Sequence, residues 1–199
     1  MAFLIPSEGL PGRSGRRRAF IGALALLALL SLRAPAASVE LAAAREYQVK
    51  AVFLFNFAQF VDWPPAAFAE PNTPLVIGVL GDDPFRNYLD ETVRGETANA
   101  RPIVIERFRR VEDIKTCHVL FISRSETGRL DQIFANLRGR NILTVGDAEG
   151  FAQHGGMIRF VIDNNKVRFR INLEAAKAAN LTISSKLLRP AEIVAPGKD

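Results

Sequence analysis

Cysteine and histidine are nearly missing from this 199-residue chain, which has one of the first, Cys117, and two of the second, His118 and His154. A lone cysteine excludes any disulfide within the chain, and its place in an apolar, strand-like run reads as a small buried hydrophobe. A metal site lacks ligands, because the two histidines stand far apart in sequence and no Cys or His cluster exists. Phosphate-binding signatures are missing too. Gly78-Val79-Leu80-Gly81 is not a G-x-G-x-x-G turn, and no Walker sequence occurs. Ser123 and Ser125 do not sit in a G-x-S-x-G elbow and neither histidine has triad spacing, so nothing points to nucleophilic catalysis. The apolar run over 19–32 is about fourteen residues, too short to cross a bilayer of about 30 Å as a helix.

What that run has instead is the layout of a secretory signal peptide. Arg13, Arg16, Arg17 and Arg18 precede it, and Ala34-Pro35-Ala36 offers small residues for cleavage near Ala36. An uncleaved anchor is the alternative, and Arg17-Arg18-Ala19-Phe20-Ile21 also resembles a twin-arginine export signal. The expected location is therefore the periplasm. Removing 1–36 changes the charge. The full chain is +5, but five of its 26 basic and one of its 21 acidic residues lie in the leader, so the remainder is nearly neutral. Nothing then calls for a nucleic-acid partner. The expected organisation is a signal peptide over 1–36 and a single α/β domain over 37–199, long enough to bury a core.

Hydrophobic periodicity lays out that domain. Ser38 caps an expected helix over 39–61, ended by Pro64-Pro65. Its second half is apolar nearly all the way round, which asks for cover on two sides: the sheet on one, and on the other either a partner, with Phe55 and Phe60 as candidates, or the domain's own loops. Continuous apolar strands are expected over 75–80, 103–105, 117–122 and 142–145. Helices are expected over 84–93, from the Ser123 turn through Leu137, and briefly around Phe151, with at most one helical turn over 111–114. Alternating strands and helices imply a mostly parallel sheet flanked by helices, a Rossmann- or flavodoxin-like three-layer arrangement closed by an antiparallel hairpin and a C-terminal helix.

The hairpin is the most legible stretch. Residues 157–163 and 166–172 each alternate, and Asn164-Asn165 between them tolerates the left-handed backbone of a two-residue turn. Asp163 should then oppose Lys166, which sets Ile162 against Val167, Phe160 against Phe169 and Ile158 against Ile171 on one face. On the other face Val161 meets Arg168 and Arg159 meets Arg170. Opposed arginines need an acidic neighbour, a bound anion or solvent. The cluster Arg159, Arg168 and Arg170 is either a solvated face with diagonal help from Asp163, or an anion site or docking patch for an acidic protein surface. Asn172 should cap the helix that follows, built on Leu173, Ala175, Ala176 and Ala179.

Ligands of such sheets collect beyond the carboxyl ends of the strands. Three turns end there: Gly81-Asp82-Asp83, Ser123-Arg124-Ser125-Glu126 and Gly146-Asp147. Ser123, Arg124 and Ser125 could cradle an anion, although helix capping explains the same letters. Asp82 and Asp83 match the acidic pair of a phosphoacceptor receiver, but the third strand ends at Ser123-Arg124 where that fold keeps an aspartate; a helix cap is the simpler reading.

Several ordered pieces together resemble the YfiR family of exported bacterial proteins. They are Lys50-Ala51-Val52-Phe53-Leu54-Phe55-Asn56-Phe57 running to Trp63-Pro64, Val119-Leu120-Phe121-Ile122-Ser123, Leu143-Thr144-Val145-Gly146-Asp147, Gly155-Gly156-Met157-Ile158, and Ile171 to Ala176 with Ser184 to Leu188. The resemblance implies a non-enzymatic periplasmic regulator without cofactors. Such a regulator binds the periplasmic sensing domain of an inner-membrane diguanylate cyclase, holds it inactive, and lowers cyclic di-GMP and biofilm formation. It also implies a homodimer, and modulation by redox state or a small aromatic ligand. Disulfides used by family members cannot form within this chain, which counts against redox control by that route. Two other classes stay open: a receptor handing a small solute to a transporter, and a hydrolase using Ser123, Asp82 and His118.

Overall fold

The computed structural model describes residues 34–195 and residue 197. The expected leader therefore lies outside the described residues, except for 34–36, which already belong to a helix. That helix, α1 (Ala34–Phe60), starts before the expected Ser38 cap. The chain divides into two units, Met1–Ala43 and Ala44–Asp199, and the sheet, with the part of α1 from Ala44 onward, belongs to the second. No helix among the described residues is long and apolar enough to cross a membrane.

After α1 come β1 (Val61–Asp62), β2 (Leu75–Leu80), α2 (Tyr88–Val93), β3 (Thr97–Ala98), β4 (Arg101–Phe108), β5 (Val119–Ile122), α3 (Leu130–Leu137) and β6 (Leu143–Gly146). The hairpin β7 (Ile158–Asp163) and β8 (Lys166–Ile171) follows, then α4 (Leu173–Ala178), β9 (Thr182–Ile183), α5 (Ser185–Leu188) and β10 (Glu192–Ile193). Eight strands form one sheet in the order β10-β8-β7-β6-β5-β2-β4-β3, and β1 pairs with β9 separately. β2 is parallel to both β4 and β5, and β5, β6 and β7 continue parallel. Every residue of β2, β5 and β6 is buried, as unbroken apolar strands covered on both faces must be.

Alternation along those strands feeds two cores, so the three-layer α/β expectation holds. One core packs Leu54, Phe57, Ala58 and Val61 of α1 and its end against Leu75, Ile77, Val119, Phe121 and Val145. The other packs Leu130, Ile133 and Leu137 of α3 against Leu80, Leu120 and Ile122. Cys117 lies in this second core, where its thiol donates to the Val119 carbonyl at 3.2 Å and burial pushes its pKa up to about 12.

The hairpin register is the expected one, from Asp163↔Lys166 through Arg159↔Arg170 to Ile158↔Ile171. Asn164 and Asn165 take φ of 48° and 59°, the left-handed pair that matches the twist of the strands. Phe160 and Phe169 are buried under α1, with the Phe57 ring centroid 5.7 Å from Phe160 and 5.3 Å from Phe169. The apolar ladder outruns its cover at the tip, where Ile162 is 48% exposed.

Local structure departs from the sequence reading in several places. The helix expected over 84–93 begins only at Tyr88, because the Asp83 carboxylate accepts the Phe85 N–H at 2.7 Å and holds the preceding residues in a bend. The helix expected from the Ser123 turn opens as a 3-10 segment, Arg124–Arg129, before α3. Around Phe151 there are turns and no helix. The Phe151 ring instead fills the space that side chains at Gly146 and Gly156 would need, a Cβ at Gly146 falling 2.5 Å from it. The strand expected over 117–122 begins at Val119, and β4 extends well beyond 103–105. Beyond the hairpin, β10 adds a short parallel edge at Arg170 and Ile171.

Phe57→Ala removes the ring on which α1 and the hairpin meet. Loss of about 3–5 kcal/mol of unfolding free energy is expected, checked by urea denaturation with an unchanged far-ultraviolet circular dichroism spectrum before the transition.

Candidate functional site

β2 is followed in the chain by β4 on one side and by β5 on the other, so winding reverses at β2. The crevice beyond the carboxyl ends of β2 and β5 is where open α/β sheets bind ligands. Two of the expected turns meet there. The Asp82 N–H donates to Ser125 Oγ at 3.0 Å, and Gly81, at φ 88°, lets the loops approach so closely that a Cβ would lie 2.4 Å from Ser125 Oγ. Ser123 Oγ accepts the Ser125 N–H at 3.5 Å, a capping contact. Glu126 is buried and pairs with Arg129.

The third turn carries the strongest electrostatic feature. Asp147, directly after β6, has 1% side-chain exposure, and its Oδ2 accepts from Lys50 Nζ at 2.5 Å and from the Tyr47 hydroxyl at 2.9 Å. Lys50 is equally buried and also meets Glu46 Oε1 at 2.5 Å, one helical turn back on α1. Arg124 Nε stands 3.2 Å from Asp147 Oδ1. Burial first, and then the neighbouring Asp147 carboxylate, push the Tyr47 hydroxyl well above its ordinary range, so it remains a donor. The arrangement ties helix to sheet through ionic hydrogen bonds, and it draws Arg124 toward Asp147 and away from a role as an open anion ligand.

Asp82 is exposed and Asp83 is engaged by Arg107, whose Nε lies 2.7 Å from Asp83 Oδ2. Arg107 also pairs with Asp90, the main cause that holds the Asp90 carboxyl below the usual range. Among the described residues no group of three or more His, Cys, Asp or Glu side chains is placed to hold a metal ion.

His118 lies on the other side of β5 from Ser123. A strand advances about 3.3 Å per residue, so the two are about 16 Å apart along it. Both ring nitrogens of His118 face backbone: Nδ1 accepts the Val76 N–H at 3.0 Å, and Nε2 lies 3.2 Å from the Ala67 carbonyl. Phe68 stacks on the ring at 4.4 Å. The histidine pins the β1–β2 connection to the sheet, and no triad with Ser123 and Asp82 is assembled.

The remaining candidates divide between the two faces of the sheet. Phe55 and Phe60 are half-buried against the α1 core, and Lys186 Nζ covers the Phe60 ring at 5.0 Å. The exposed large apolar side chains on this part of α1 are Val49 and Val52, at 45% and 49%. Arg159, Arg168 and Arg170 lie on the opposite face. Glu192 of β10 supplies the acidic neighbour that the opposed arginines require, accepting from Arg170 Nε at 2.8 Å. Arg168 is exposed at the hairpin and has no ion-pair partner among the described residues.

Sequence reasoning singled out Arg124 but missed its connection to Tyr47 and Lys50. The signal was present in the helical spacing: Lys50 shares a stripe with Leu54, Phe57 and Val61, and a lysine on an inward stripe requires a buried counter-charge.

Lys50→Met strands the Asp147 carboxylate and is expected to cost about 3–5 kcal/mol, whereas Lys50→Met with Asp147→Leu recovers most of that loss; urea titration of the two variants decides it. Burial holds the His118 pKa below the ordinary imidazole value. The unfolded chain therefore takes up a proton first, so the stability contributed by neutral His118 is complete above about pH 6.5 and falls as pH drops toward the folded-state value. The melting temperature should decline as pH is lowered below about 6.5, and His118→Asn, which keeps an acceptor for the Val76 N–H, should flatten that decline.

No curated protein matches the chain. One solved structure, described as the ABC domain in complex with L-Trp from Streptococcus pneumonia, shares 12% identity at a TM-score of 0.45, with 60% of this chain and 55% of that one covered. The chain thus spans little more than half the length of that structure. The family model described as YfiR/HmsC-like, a domain of unknown function (DUF4154), matches residues 47–192, from Tyr47 of the buried ionic cluster to Glu192 beside the arginine face. With almost the whole of the sheet and its covering helices inside that match, the chain belongs to the YfiR/HmsC-like family.

Proposed function

We propose that this protein is an exported periplasmic regulator that captures the periplasmic sensing domain of an inner-membrane diguanylate cyclase, holds it inactive and thereby lowers cyclic di-GMP and biofilm formation. Family membership supports the reading. The observation that carries it is the basic face of the hairpin, where Arg159 and Arg170 stand opposite one another and Arg168 is exposed without an ion pair among the described residues. Such a face complements an acidic protein surface. Val49 and Val52 on α1, with Phe55 beside them, supply an apolar stripe suited to a homodimer. The protein performs no bond-making in this scheme, which agrees with Ser123 and His118 flanking β5 at its two ends.

A second reading, a receptor for a small aromatic ligand, is favoured by one feature. A cleft of about 440 Å³ between α3 and α4 is lined by Phe134, Met157, Arg138 and Arg140, within the size of small-molecule sites. NMR titration with aromatic acids supports it by shifts at Phe134 and Met157, and their absence removes it.

Deletion of the gene is expected to raise cellular cyclic di-GMP, and Arg168→Glu should reproduce that rise while leaving the melting temperature within a few degrees of wild type. An unchanged nucleotide level in the deletion strain overturns the regulatory role. A large fall in melting temperature for Arg168→Glu shows the arginine to be structural.

A further inference from the structure

The two candidate partner surfaces lie on opposite faces of the sheet, and the outer edge of β8 runs between those faces. β10 pairs with β8 only at Arg170 and Ile171, so beside Lys166 to Phe169 no strand stands among the described residues. In a two-residue hairpin the closing pair, here Asp163 and Lys166, exchanges both backbone hydrogen bonds, and the alternation then directs the backbone groups of Lys166, Arg168 and Arg170 toward β7. Those of Val167, Phe169 and Ile171 point outward. Consistent with this, the Ile171 carbonyl accepts the Val194 N–H at 3.0 Å on the outer side. The N–H and C=O of Val167 and the N–H of Phe169 are thus offered to a further strand.

A groove lies on each side of this edge. One, of about 300 Å³, is lined by Phe53, Val167, Phe169 and Pro190, with Lys166 and Arg168 at its rim. The other, of about 450 Å³, is bounded by Val161, Asp163, Arg168, Arg170, Pro190 and Glu192. Side chains of an added strand alternate between the two faces. One set would enter an apolar groove floored by aromatic rings, and the other would meet guanidinium groups.

We infer that the open edge of β8 is a strand-addition site for an extended segment of a partner protein whose residues alternate apolar and acidic. Backbone hydrogen bonds supply the attachment, and the alternate pockets supply the selectivity. A second copy of this chain is the wrong occupant, because antiparallel pairing of β8 with itself about Arg168 sets Arg168 against its own copy and Lys166 against Arg170 on one face, and like charges across strands repel. The inference rests on the regulatory reading for the identity of the partner, but not for the existence of the site.

The full chain is titrated with an eight-residue peptide alternating glutamate and valine, and with a control of the same composition arranged as a glutamate block followed by a valine block. Amides of Val167 and Phe169 are expected to exchange rapidly with solvent in the free protein and to shift and become protected with the alternating peptide. The block control should bind roughly tenfold more weakly or worse, and Arg168→Glu should weaken the alternating peptide to a similar degree. Val167→Pro removes an outward N–H while leaving the bonds to β7 in place, and should abolish binding. Protection of the Val167 and Phe169 amides in the free protein overturns the inference, as does equal binding of the two peptides. The cyclase domain separates this claim from the regulatory one: full capture by the Val167→Pro variant overturns edge docking and leaves regulation standing. Peptide binding with no effect of the gene on cyclic di-GMP leaves the edge site and removes the regulator.

Discussion

The Lys50–Asp147 ion pair fixes how α1 lies on the sheet. An ammonium and a carboxylate, each 1% exposed, persist in the interior only because they neutralise one another at 2.5 Å and share Tyr47 and Glu46 as further partners. Successive residues on a helix are separated by about 100° of rotation, so even a one-residue slip of α1 would carry Lys50 away from its counter-ion. That constraint sets the rest: Phe57 comes down on Phe160 and Phe169, and Val49 and Val52 are turned outward. Apolar packing alone would tolerate several registers for a helix as uniformly apolar as this one, and the charge pair selects among them.

Much of the fold was legible because it depends on local rules. The hairpin could be read residue by residue, since a two-residue asparagine turn and a period of two leave a single register, and every pair from Asp163↔Lys166 to Ile158↔Ile171 follows. The continuous apolar strands declared a parallel sheet for a similar reason. Less legible were features set by partners distant in sequence. Asp147 lies 97 positions from Lys50, and nothing next to either residue names the other. The late start of α2 depends on Asp83 capping Phe85 while also holding Arg107, 24 positions away. β10 has only two residues, too few for any periodicity to show. Of the candidate site, the turns beyond β2 and β5 were placed correctly together, but the contact between Arg124 and buried Asp147 was not visible.

The division of chemistry between the two faces of the hairpin also follows from its period. Alternation places Phe160, Val167 and Phe169 toward α1 and Arg159, Arg168 and Arg170 away from it. Relief of the opposed arginines comes from Glu192 on a strand that contributes almost nothing to the core. The short β10 therefore serves the electrostatics of the sheet more than its packing. By starting only at Glu192 it also leaves most of β8 uncovered.

Burial of Cys117 has a consequence for the chemistry of the molecule as a whole. Only a thiolate attacks disulfides or peroxides efficiently, and a sulfur raised to a pKa of about 12 and enclosed by the second core forms almost none at neutral pH. In the folded chain the Cys117 sulfur is thereby a poor nucleophile toward disulfides and peroxides, and only opening of the second core would expose it.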